Sequence, residues 1–327
     1  MIWTMSKGIF KRDAQINLCL DGHLRYYKFN SVLHSDDIFV GWGQKANTRQ
    51  IKQRAHALGL PYWQLEDGFI GYVGHPAKGG LALSLIADPV GIYYDARQPS
   101  QLEQLIATPC DSALLARAER LMADLVRFGI TKYNCYASSE AHQAGSGDLL
   151  SRLQADPRPR VLLVDQVAGD LSIPGALASE ADFLAMVAAA RRAHPTARLL
   201  LRTHPDTRFS HRWRRRKRGV LARLAARDPA LADLEVISEP CHPHALIGLV
   251  SAVYTVSSQL GFEALLLGKP VHCFGMPFYA GWGLTHDSQR CERRAQAVTA
   301  LAAAGQGISL PQLVAAALIC YPRYLDP

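Results

Sequence analysis

The 327-residue chain has no paired-cysteine motif: Cys19, Cys110, Cys135, Cys241, Cys273, Cys291 and Cys320 stand singly. Scattered thiols exclude a zinc ribbon and a disulfide framework, and they suit a reducing compartment. A GxxxxGKS/T phosphate loop, a GxGxxG turn, an HExxH helix and a GxSxG elbow are also missing. Their absence removes the most familiar triphosphatase, dinucleotide-binding, metalloprotease and serine-hydrolase readings. Without a DxD pair, no metal and no cofactor are expected, and a substrate carrying one phosphate fits better than a diphosphate needing Mg²⁺. The opening MIWTMSKGIFKRDAQ lacks the apolar stretch of a signal peptide, and no later run approaches the roughly 18 apolar residues that span a bilayer. A cytoplasmic protein is therefore expected.

What is present is ample apolar material. At 49% hydrophobic residues, a chain of this length can bury two ordinary cores, so two α/β lobes are the natural reading. Lys and Arg number 36 against 28 acidic residues, and the net charge of +8 favours anionic partners: nucleotide sugars, anionic lipid surfaces or nucleic acid.

In the first half, the pattern gives an apolar run at Ile16 to Leu20 and a strand ending in Val40-Gly41-Trp42-Gly43. A helix through Gln50 to Leu58 follows, then a strand from Tyr62 to Leu65 that opens into Glu66-Asp67-Gly68. Residues 141–159, rich in Gly, Pro and charge, mark a boundary near Asp156. The lobes are then 1–155, on the acceptor side, and 156–327, with the last helices free to pack back on the first lobe.

The second half alternates strand and helix. Strands are predicted at Val161–Val164, Arg198–Leu201, Leu234–Ile237, Ala252–Val256 and Val271–Phe274. Helices are predicted from Ser179 to about Ala193, at Val220–Ala226, at His244–Leu249, and from Ser258 to Leu267 before Gly268. Such alternation means a parallel sheet covered on both faces, and open sheets of this kind bind ligands beyond the carboxyl ends of their strands. Asp165, His204, Glu239, Ser257 and Ser258 fall there.

Each of these residues carries two readings. Asp165, directly after VLLV and ahead of Gln166 and a loop with Gly169-Asp170, is either a cleft nucleophile or base, or a cap for the next turn. Arg202-Thr203-His204-Pro205 ends another strand, and Pro205 holds His204 extended, where an imidazolium could face a leaving phosphate or serve the fold. Ser257 and Ser258, ahead of a helix containing Glu263, can hold one phosphate or simply cap that helix. Glu66 or Asp67 can act as a general base, although Asp-Gly is also a common turn.

Trp42 between glycines, and Tyr279 and Trp282 in FYAGWG, offer flat faces to a sugar and are expected to line the cleft. The basic run Arg212, Trp213, Arg214, Arg215, Arg216, Lys217 and Arg218 is a solvated face or an anionic-membrane footprint, with Trp213 favouring the headgroup zone. No recognition motif accompanies it, so no nucleic-acid partner is expected.

Taken together, GWGQKANT, LEDGF, LSLIADPVGIYYD, VLLVDQ, RTHPD, VSSQLGFEALLLGKPVHCFGMPFYAGWGLT and YPRYLDP resemble the capsule polysaccharide Kdo transferases of the KpsC type. The EDG, HP and SS elements also resemble those of bacterial sialyltransferases. The resemblance implies two Rossmann-like lobes with a cleft between them, a GT-B-like glycosyltransferase. It further implies transfer of Kdo, an acidic sugar, from CMP-β-Kdo to a Kdo-primed (lyso)phosphatidylglycerol glycolipid with retention, at the cytoplasmic face of the inner membrane beside capsule assembly and export machinery. Asp165 would be the nucleophile and Glu66 or Asp67 would serve the acceptor. Arg202, His204, Pro205, Glu239, Ser257, Ser258 and Glu263 would hold CMP, and Gln166, Trp42, Tyr279 and Trp282 would meet the sugars. KpsC-type proteins commonly carry two such modules in tandem, and this chain holds one. The alternatives are an inverting CMP-ulosonic acid transferase and a non-catalytic export or glycan-binding module.

Overall fold

A computed structural model describes residues 1–76, 79–135, 146–203 and 218–325. His204, Pro205 and residues 212–217 of the basic run lie outside the described residues, while Arg218 is described and exposed.

The chain builds two six-stranded sheets. The first contains β1 (Ile2–Thr4), β2 (Leu24–Tyr26), β3 (Ile38–Trp42), β4 (Tyr62–Asp67) and, after the small hairpin β5 (Tyr72–Val73) and β6 (Leu81–Ala82), β7 (Ser84–Asp88). The second contains β8 (Arg160–Val164), β9 (Arg198–Arg202), β10 (Glu235–Ile237), β11 (Ala252–Thr255), β12 (Val271–Cys273) and β13 (His286–Asp287). The last strand, β14 (Pro322–Tyr324), returns to the first sheet, giving the orders β14-β7-β4-β3-β1-β2 and β10-β9-β8-β11-β12-β13.

The second sheet is wholly parallel. In β8, Val161 and Leu163 enter one apolar cluster while Leu162 and Val164 enter another, the alternation that a strand buried on both faces requires. Helix Glu180–Ala193 on one of those faces starts at the predicted Ser179, with Asp182 closing a reciprocal capping box. The first sheet departs from a purely parallel pattern: β7 runs antiparallel to β4, and β14 antiparallel to β7.

The C-terminal segment packs closely on the first lobe. Gln312 Nε2 donates to Ile106 O at 2.8 Å, and the Tyr321 hydroxyl donates to Asp88 Oδ2 at 2.7 Å. Phe69, Ile86, Leu162, Phe262, Phe278 and Tyr321 share one buried cluster, with the Phe69 and Phe278 rings 4.4 Å apart between centroids. That shared core underlies both sheets and gives the cleft between them a fixed floor. Among the described residues, no helix is long and apolar enough to cross a membrane.

Candidate active site

A cleft of about 400 Å³ opens at the carboxyl ends of β4, β8, β9 and β11, lined by residues of both lobes. Asp165 borders it, yet its carboxylate is committed to the fold. Oδ1 accepts from Gln166 N and Leu221 N, each at 2.9 Å, and Oδ2 accepts from Ala222 N at 3.0 Å. The side chain is fully buried beneath the first turn of helix Val220–Ala225. Gly219 permits this approach, since a Cβ there would stand 1.9 Å from Asp165 Oδ2. Burial raises the carboxyl pKa and the N–H bonds oppose the rise. The expected projection into the cleft is therefore corrected: Asp165 caps a helix that begins 55 residues later. Asp165→Ala should lower the unfolding free energy by about 1–3 kcal/mol, because it strands buried amides. Urea denaturation checks this, and an unchanged midpoint would contradict it.

The carboxylate that does face the cleft is Asp170. Gly169, at φ 83°, turns the chain through the left-handed region, and Asp170 emerges exposed on the cleft wall. One oxygen accepts from Ser172 N at 2.9 Å, and among the described residues it has no ion-pair partner. The signal in the sequence was the Gly-Asp step just past a strand end.

On the facing wall stands Glu66. Its Oε1 accepts from Trp42 Nε1 at 2.9 Å and from Asp67 N at 3.1 Å. Burial, with the neighbouring Asp67 charge adding to it, pushes its carboxyl up to about 7. The phenols of Tyr93 and Tyr94, both lining the cleft, feel Glu66 and Asp170 together, and each is raised chiefly by burial.

Asp67 points elsewhere, as the alternation along β4 demands. Its Oδ1 takes Arg12 Nη1 at 3.0 Å and the Tyr72 hydroxyl at 2.6 Å, so it is corrected from candidate base to ion-pair partner. Trp42 is not a sugar platform either: the Arg12 guanidinium lies 4.4 Å over its ring, and its indole N–H orients Glu66.

On the second lobe, Gln166 bridges β8 and β11. Its Oε1 accepts from Ser257 N at 2.8 Å and its Nε2 donates to Ser257 Oγ at 2.9 Å. Ser258 N donates to Thr255 Oγ1, and Ser258 Oγ accepts from Leu260 N. The expected amide cradle at Ser257-Ser258 is thus already used internally, though both side chains border the cleft. Arg202 is buried there, donating Nη2 to Cys241 O at 2.9 Å, while Nη1 has no hydrogen-bond partner among the described residues. Glu263, pushed up to about 7 by burial, lies 4.0 Å from His244 Nε2, whose own burial lowers it to about 4. Near neutral pH these two are not an ion pair.

Three further expectations are corrected. Glu239 is exposed, 3.7 Å from Arg152, and does not line the cleft. Tyr279 and Trp282 are buried, donating to Ser258 O and Phe278 O, because the turn through Gly281 and Gly283, at φ 83° and 84°, folds their rings inward. The aromatic lining comes instead from Tyr93, Tyr94, Tyr133 and Phe278. Among the described residues, no group of three metal-ligating side chains is assembled.

Two α/β lobes enclosing a cleft, with Glu66 on one wall and Asp170 on the other, define an architecture of the GT-B type. The chain belongs to the capsule polysaccharide biosynthesis protein family, whose sequence pattern matches residues 37–324. It is 36% identical to the capsule polysaccharide modification protein LipA of Neisseria meningitidis serogroup B, covering 88% of this chain but 38% of that protein. It is 37% identical to the lipopolysaccharide-processing protein LpsZ of Rhizobium meliloti, over 96% of this chain and 68% of LpsZ. Among solved structures, it is similar to the beta Kdo 2,4 transferase of Thermosulfurimonas dismutans KpsC, with 38% identity, a TM-score of 0.83, and coverage of 100% of this chain and 92% of that one. The beta Kdo 2,7 transferase of the same KpsC matches at 26% identity and a TM-score of 0.65, covering 99% and 92% of the two chains.

Proposed function

We propose that this chain transfers Kdo from CMP-β-Kdo to a Kdo-primed lysophosphatidylglycerol-type glycolipid, with retention, in assembly of a capsule linker. One observation carries the reading: Asp170 and Glu66 offer a carboxylate from each wall of the same cleft, in a chain similar along its whole length to a beta Kdo 2,4 transferase.

Two displacements account for retention. In the first, an Asp170 oxygen bonds to the anomeric carbon while the bond from that carbon to the CMP phosphate oxygen breaks, and its electron pair leaves with CMP. In the second, the acceptor hydroxyl gives its proton to Glu66, its oxygen bonds to the anomeric carbon, and the ester to Asp170 breaks. A carboxyl poised near 7 suits that proton transfer. Arg202, Glu263 and the hydroxyls of Ser257 and Ser258 are assigned to CMP, as are His204 and Pro205 from the resemblance alone. No metal or cofactor enters either step. The acceptor's lipid would bring the chain to the cytoplasmic face of the inner membrane, with the basic residues 212–218 as its contact.

The greater likeness to the 2,4 enzyme supports a β-(2→4) linkage. Incubation with CMP-Kdo and a Kdo-primed lipid should release CMP and yield a β-(2→4)-linked product by NMR. An α linkage would overturn retention, and no CMP release would overturn the enzyme.

A further inference from the structure

Lys132 lines this cleft as a cation whose ammonium has no ion-pair partner among the described residues. The backbone fixes it: its carbonyl accepts from Gly71 N at 3.0 Å and Tyr72 N at 3.1 Å. The half-buried side chain lines the cleft, with Nζ 5.6 Å from the centroid of the Tyr133 ring. Among the described residues, its ammonium makes no ion pair within 4.0 Å, although Glu66 and Asp67 are near enough to be felt and the Glu263 carboxylate accepts from the Lys132 backbone N–H. Glu66 and Asp67 are engaged by Trp42, Arg12 and Tyr72. Burial lowers the affinity of the ammonium for its proton, but the acidic groups around it, Asp67 and Glu66 among them, outweigh that effect and raise its pKa. A second cation, Lys45, stands exposed at the same wall with Nζ 5.9 Å from the Trp42 ring. A partly desolvated ammonium is costly unless something negative meets it.

The electrostatic reach of Lys132 extends to Glu66 on one side and to Glu263 on the other. In the transferase reading, on which this inference rests, Glu66 faces the acceptor hydroxyl and Glu263 the nucleotide, so the sugar ring lies between them. We propose that Lys132, with Lys45 at the rim, recognises the carboxylate of an acidic sugar and so restricts the cleft to ulosonic acids. Donor and acceptor both end in such a carboxylate, and the test separates them.

The first measurement is calorimetric binding of a methyl Kdo glycoside and its carboxamide to wild type, Lys132→Gln and Lys132→Arg. The second is kcat/KM with donor or acceptor supplied as acid or as amide. A charge-assisted contact of this kind should favour the acid by about 10- to 100-fold in wild type. Lys132→Gln should bring that ratio close to one, and Lys132→Arg should restore most of it. Loss of the preference in the donor arm identifies the donor carboxylate, and loss in the acceptor arm identifies the acceptor's. An acid-to-amide ratio unchanged in Lys132→Gln, or a matching fall in affinity for CMP alone, would overturn the inference. Absence of wild-type turnover would sink the transferase reading separately, since the binding arm still reports on Lys132.

Discussion

Asp170→Ala should cut CMP-Kdo turnover by about 10⁴-fold or more while leaving the affinity for CMP nearly intact. A nucleophile forms its bond only in the transition state, so its removal lowers kcat rather than nucleotide binding. Asp170 is suited to this role because it is exposed on the cleft wall and, among the described residues, its carboxylate accepts only from Ser172 N. Asp165→Asn is the instructive contrast. An amide oxygen can still accept from Leu221 or Ala222, so this variant should lose stability and keep most of its turnover once folded. If Asp165→Asn proves inactive yet folded while Asp170→Ala turns over normally, the two carboxylates have been assigned the wrong way round.

Glu66→Gln has the next largest expected effect, a fall of about 10²- to 10³-fold in kcat/KM. Its sign with pH is fixed by the raised carboxyl. Below about 7 Glu66 is protonated and cannot take the acceptor's proton, so the wild-type rate should drop roughly tenfold per pH unit on the acid side. Above about 7 it should level off. The variant should lack that inflection, because glutamine does not titrate; an unchanged acid limb in Glu66→Gln would assign the base to another group. Trp42 enters here as a positioning residue, since its indole N–H holds Glu66 Oε1 at 2.9 Å.

The second lobe was the more legible half of the fold. Val161–Val164, Arg198–Leu201, Ala252–Val256 and Val271–Phe274 are compact apolar runs with polar ends, and strands β8, β9, β11 and β12 occupy nearly those positions. Strands β1, β2 and β14 were not legible: each has three residues and exists through long-range pairing, with β14 joining β7 from the far end of the chain. The apolar run at Ile16–Leu20 proved to be the end of helix Asp13–Leu20, a choice that periodicity in so short a stretch does not make.

The site divides in the same way. Glu66, Gln166, Arg202, Ser257 and Ser258 border the cleft, as polar residues at strand ends do in this kind of sheet. Which of two neighbouring carboxylates faces the cleft was not readable. For Glu66 and Asp67 it depends on the register of β4, and on an arginine contributed from position 12. For Asp165 it depends on where a helix begins that is remote in sequence. Glycines beside Tyr279 and Trp282 suggested accessible rings, but the left-handed turns at Gly281 and Gly283 serve to bury them.

The proposed covalent intermediate is open to direct observation. Wild-type protein incubated with CMP-Kdo in the absence of acceptor, then digested and sequenced by mass spectrometry, should carry one Kdo on the peptide containing Asp170, and Asp170→Ala should carry none. An adduct mapped to any other residue, or equal labelling of wild type and Asp170→Ala, would contradict the proposed chemistry.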